Sequence, residues 1–156
     1  GDRTGEPKLS EAILKMSLEE RLLWAAKDGC FLIVHVSLNR GANIMTMARE
    51  HNTALHLAVM GGRLQIVQEL LARRADIEAA NAYGATPLHL AAVWGHEDVI
   101  NIVLDHGANI RAVTMYGDTA LDLALRNRHE TIARRLVALE NIEQPLAIAA
   151  APPNGV

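Results

Sequence analysis

The stretch Gly84-Ala85-Thr86-Pro87-Leu88-His89-Leu90-Ala91-Ala92 decides the fold, because the chain carries it in three versions. A step of 33 residues upstream stands Thr53-Ala54-Leu55-His56-Leu57-Ala58, and the same step downstream stands Thr119-Ala120-Leu121-Asp122-Leu123-Ala124. Landmarks outside the motif keep the step. Gly29, Gly62 and Gly95 are in register, and so are Ile33-Val34, Ile66-Val67 and Val99-Ile100. Ala42-Asn43-Ile44, Ala75-Asp76-Ile77 and Ala108-Asn109-Ile110 are in register as well. A fixed period of this length marks stacked supersecondary units, none of which can bury its apolar face alone.

The residues say what each unit is. Thr at the start of the motif can cap a helix, and Pro87 suits a first helical position. Leu55 and Ala58 share a helix face, and the small Ala91 and Ala92 let a neighbouring helix approach. Gly62 and Gly95 end that short helix where a left-handed residue is needed. A second helix follows, with Ile66, Val67, Leu70 and Leu71 in one buried stripe. Arg73-Arg74 and His106-Gly107 close it, with basic groups near its negative end. An extended arm then turns at Gly84 or Gly117. The unit is therefore helix, turn, helix, finger. In the first finger, His51 stands where the others have glycine, which predicts a reshaped tip.

The end units depart from the motif. The first has Glu20-Arg21-Leu22-Leu23-Trp24-Ala25-Ala26 in its place, and the last has Asp122 for His and Arg128 for Gly. Stacking predicts degenerate ends. Four units follow, at about 18–48, 49–81, 82–114 and 115–140. Residues 1–17 form an N-terminal extension outside the register. Its Ser10–Met16 segment reads as a short amphipathic helix, a lid over the apolar Phe31, Leu32 and Val36. Ser17-Leu18-Glu19-Glu20 then reads as a capping box. Arg126, Arg128, Arg134 and Arg135 read as a solvated polar end. Residues 141–156 are an Ala/Pro-rich tail with the composition of a linker. The chain begins without Met, and the expectation is a segment of a longer protein.

Composition removes several functions. Only Phe31, Trp24, Trp94, Tyr83 and Tyr116 are aromatic, so the core must come from Leu, Ile, Val and Ala. A net charge of −3 gives no general attraction to nucleic acid. The one cysteine, Cys30, allows no internal disulfide and reads as a buried thiol. No apolar run is long enough to span a bilayer, and no phosphate loop, dinucleotide fingerprint or metal-binding motif occurs. His56, His89 and Asp122 form a repeating row, yet no nucleophile or oxyanion site accompanies them. No catalytic residue, metal or cofactor is assigned.

With these motifs in one register over about Leu18 to Glu140, the chain resembles the ankyrin-repeat family. The resemblance implies an all-α solenoid of helix-turn-helix units with β-hairpin fingers. It implies that His56 and His89 bond across to backbone and tie units together, with Gly62 and Gly95 structural beside them. It also implies a non-catalytic interaction module, intracellular (cytoplasmic or nuclear), that binds a partner protein or peptide on the concave face of fingers and first helices. No nucleic-acid partner, membrane insertion or oligomer is expected. A regulatory or targeting domain within a larger protein is the alternative. On that face stand Met47, Arg49, Glu50 and Asn52 of the first finger. The second finger adds Ala80, Ala82, Tyr83 and Ala85, and the third adds Val113, Met115, Tyr116 and Asp118. The first helices contribute Met60, Val93, Trp94 and Arg126. The counterparts of Trp94 are Asp28, Gly61 and Asn127, so this position reads as surface, and its indole as an anchor reaching between Tyr83 and Tyr116.

Overall fold

The predicted caps open the helices of the structure. Ser17 accepts the Glu20 N–H while the Glu20 carboxylate accepts the Ser17 N–H, at 3.1 and 3.0 Å. Thr53, Thr86 and Thr119 form the same reciprocal box with His56, His89 and Asp122. A computed structural model describes residues 9–143. Among them it contains α1 (Leu9–Lys15), α2 (Leu18–Asp28), α3 (Phe31–Asn39), α4 (Ala54–Met60) and α5 (Leu64–Ala72). They are followed by α6 (Pro87–Trp94), α7 (Glu97–Asp105), α8 (Ala120–Arg126) and α9 (Glu130–Glu143). The N-terminal residues before Leu9 and the tail from 144 lie outside the described residues.

The helices stack in two layers. The first helices α2, α4, α6 and α8 pack on one another in sequence, and so do the second helices α3, α5, α7 and α9. One apolar cluster fills the space between them. Leu22, Leu55 and Leu88 enter it from the first layer, with Ala25, Ala58, Ala91 and Ala124 beside them. Val34, Val67, Leu70, Ile100, Val103 and Leu136 enter from the second. The alanines let helices of the first layer approach closely, while each buried Leu, Ile or Val contributes on the order of 2 kcal/mol by leaving water. A network on the second layer also joins units. The Glu69 carboxylate accepts Arg73 Nε at 2.8 Å and lies 2.9 Å from His35 Nδ1. His35 and Arg73 together hold that carboxyl below the usual range.

The fingers are tight turns more than strands, and among the described residues one isolated antiparallel bridge, Met47 to Thr53, marks the first. Each closes on itself in the same register, by Ala48 N–H to Asn52 O, Asn81 N–H to Ala85 O and Thr114 N–H to Asp118 O. Neighbouring fingers are also bonded. Ala82 N–H donates to Glu50 O at 2.8 Å, and Met115 N–H donates to Tyr83 O at 2.9 Å. His51 does reshape its tip. Glu50 and His51 are both left-handed, at φ 59° and 58°, where the other tips use a left-handed glycine.

The lid covers less than expected. α1 is held by Arg21, whose guanidinium donates to the carbonyls of Ile13, Leu14 and Met16 at the helix end. Ile13 shares a cleft with Leu32, Ile33 and Val36, yet Leu32 remains 68% exposed. Phe31 stands exposed and stacks on His35, with ring centres 5.9 Å apart. The reason is length: the seven residues of α1 span only about 10 Å. α9, by contrast, runs 14 residues where the other second helices run nine.

Candidate functional site

His56 and His89 each tie a capped helix start to the finger that follows. In each, Nδ1 accepts the N–H of the capping threonine, Thr53 at 3.1 Å and Thr86 at 3.0 Å. With Nδ1 an acceptor, Nε2 carries the proton and must donate. It does so into the finger that follows, His56 to Ala85 O at 3.0 Å and His89, at a position out of register with that one, to Ala112 O at 2.8 Å. Burial pushes both imidazoles below the usual histidine range, against the opposing pull of those carbonyls. Both nitrogens of each ring are occupied, which leaves no free base for catalysis. Asp122 keeps only the capping half of the arrangement, accepting from Thr119 N–H at 2.9 Å.

A second histidine row was missed by sequence reasoning. His96 Nε2 donates to Met60 O and His129 Nε2 to Val93 O, each at 2.9 Å, across the joint to the end of the preceding first helix. Arg63 reaches Lys27 O in the same way at 3.3 Å. These residues lie flat over the glycines of the preceding unit. A Cβ on Gly62 would stand 2.8 Å from the His96 ring, and one on Gly95 would press into that of His129. The signal was present, because His96 and His129 are 33 residues apart and each follows the helix-ending position. The turn N–H of Asn109 is taken by Glu78 of the preceding unit, another cross-unit tie the motif did not announce, while that of Asn43 is taken by Glu19 within the first unit.

The face formed by first helices and fingers carries most of the expected contact residues. Trp94 is 54% exposed, Met115 64% and Tyr116 70%, and Met47, Arg49, Glu50 and Val113 are exposed too. Met60 and Val93 are partly buried and lend their carbonyls to His96 and His129. Two pairs are already engaged with each other. Tyr83 donates its hydroxyl to Glu50 at 3.0 Å, which raises the phenol above its ordinary value. Arg126 donates twice to Asp118, at 3.0 and 2.9 Å, and holds that carboxyl down. Asn52 and Ala85, expected on the surface, are instead buried inside the fingers. Each closes its turn through its backbone, and Asn52 also accepts from the Asn81 amide at 3.0 Å. Trp94 closes α6, roughly 10 Å along the axis from Pro87, while Tyr83 precedes that helix.

Other chemistry finds no support. Among the described residues, no group of three or more His, Cys, Asp or Glu side chains could hold a metal ion. No helix among them is long and apolar enough to cross a membrane. Cys30 is partly buried against the core. A family model described as ankyrin repeats, in three copies, matches residues 22–114. No curated protein matches the chain.

Proposed function

Because the chain belongs to the ankyrin-repeat family, whose repeats are generally protein-interaction modules, we propose that it is a non-catalytic module. On this reading it binds a partner protein or peptide through the face of its fingers and first helices, and residues 115–140 act as a fourth, terminal unit. The observation that carries the reading is the exposure of Trp94, Met115 and Tyr116 on that face, in a chain with only five aromatic residues. Large apolar groups left in water give no stability, and as anchors they bind well. The opposing fact is equally informative: the two histidines that would suggest chemistry are both spent on those ties.

The test is affinity capture from cell extract with the whole chain and with Trp94→Ala, followed by titration calorimetry on a partner that the wild type retains. Trp94→Ala should weaken that partner by at least about 2 kcal/mol, the level of a hot spot. It should change folding stability by less than about 1 kcal/mol, as surface changes do. Unchanged affinity in the variant removes Trp94 from the contact surface.

A further inference from the structure

The row of fingers ends on an open seat. Between the first and second fingers, Glu50 O accepts Ala82 N–H; between the second and third, Tyr83 O accepts Met115 N–H. One step further on, Tyr116 O occupies the same place, and no backbone N–H among the described residues donates to it. The glycines tell the same story. The second finger presses so closely on the third that a Cβ on Gly84 would stand 2.8 Å from Met115 N. Gly117, at the equivalent place in the third finger, has nothing within 4 Å of its would-be Cβ. The third finger thus keeps both halves of a backbone-binding surface, the acceptor and the bare Cα, neither of them engaged by the backbone of the described residues. Val113, Met115 and Tyr116 are exposed around it.

We propose that this outer edge of the third finger binds an extended peptide segment of a partner protein, which adds itself to the row as a further finger strand. The proposal deepens the reading of the chain as a protein-binding module and rests on it. Continuity selects the occupant. The two existing joints each seat a backbone N–H on the tip carbonyl, so the third requires a segment with a free N–H and no proline at that position. Val113 and Met115 stand two residues apart, and side chains at that spacing on an extended strand share a face. The matching segment therefore carries apolar side chains at alternate positions. Main-chain bonding supplies the attachment and the apolar pair the selectivity, as in other strand additions.

The experiment selects binders to the whole chain from a displayed library of random twelve-residue peptides and measures the best one by fluorescence anisotropy. Two changes then probe the edge. Gly117→Asn tolerates the left-handed turn but places a Cβ in the seat, and it should weaken the peptide more than tenfold with its melting midpoint near wild type. N-methylation of the peptide, one amide at a time, should cost more than tenfold at a single position, and this arm leaves the folding of the protein untouched. Enriched peptides that ignore both changes overturn the edge proposal and leave the module reading standing. A library without binders also overturns it, while the module reading is judged separately by the capture with Trp94→Ala. If Leu146→Asp or Ile148→Asp in the whole chain strengthens peptide binding, the chain's own tail is the occupant, and the partner proposal fails.

Discussion

The joint between the α6–α7 and α8–α9 pairs and the outer side of the α8–α9 pair are built from the same positions with different residues. At the joint, His89 caps its own helix and donates onward to the finger that follows, and Gly95 lies bare beneath the His129 ring. On the outer side, Asp122 caps its helix and reaches no further, and Arg128 holds the glycine position at φ 62° with its side chain in solvent. The difference teaches that the motif has two parts. The capping part is owed to the unit itself and is kept at Thr53, Thr86 and Thr119. The onward donor and the bare Cα are owed to a neighbour, and Asp122 and Arg128 supply neither.

Breaking the joint at its tightest point should have the largest effect. Gly95→Ala adds a Cβ under the His129 ring and forces a left-handed alanine, at an expected cost of about 3 kcal/mol. A urea midpoint within error of wild type would mean that the joint yields easily and the comparison is empty. His89→Ala should come next. It strands the Ala112 carbonyl and loses the cap, at about 2 kcal/mol, against about 1 kcal/mol for Asp122→Ala, where only a cap is lost. Equal costs at the two positions would show that the onward bond carries no weight.

Protonation separates the same two regions without mutation. The lowered pKa values of His56 and His89 mean that the folded rings stay neutral while unfolded ones, near 6.5, take up a proton. Stability is therefore complete above about pH 6.5 and falls as the pH drops below it. The loss between pH 6.5 and 5.5 is at most about 1 kcal/mol for each imidazole, and His89→Gln should flatten the slope measured by denaturant melts. The smallest effect sharpens the comparison from the other side. Arg128→Gly relieves a left-handed residue, and should raise stability by up to about 1 kcal/mol. A loss there would mean that Arg128 makes a contact that matters.

What was legible in the sequence follows the same division. The capping by Thr86, Pro87 and His89 and the helix end at Gly95 act within a few residues of their own position, so spacing alone announced the helices and their ends. Trp94 could be placed on the surface by comparing it with Asp28, Gly61 and Asn127. Contacts across joints were harder to read. The position that lies over the glycine is Arg63, His96 and His129 in turn, and such varied side chains hide a shared role. The burial of Asn52 and Ala85 depends on how each finger closes, and the reach of α1 on where a seven-residue helix comes to rest. Neither is written in a local pattern.

The finger-to-finger bonds, repeated at a step of 33 residues, also make the length of this molecule editable. Inserting a second copy of residues 82–114 before Met115 would create no new kind of contact. The copied His89 would meet a finger, the copied Gly95 would lie under His129, and the copied Met115 counterpart, Ala82, would find Tyr83 O waiting. Asp122 and Arg128 would remain the full stop. Such a chain grows by duplication as a sentence grows by repeating a clause, with its punctuation left in place.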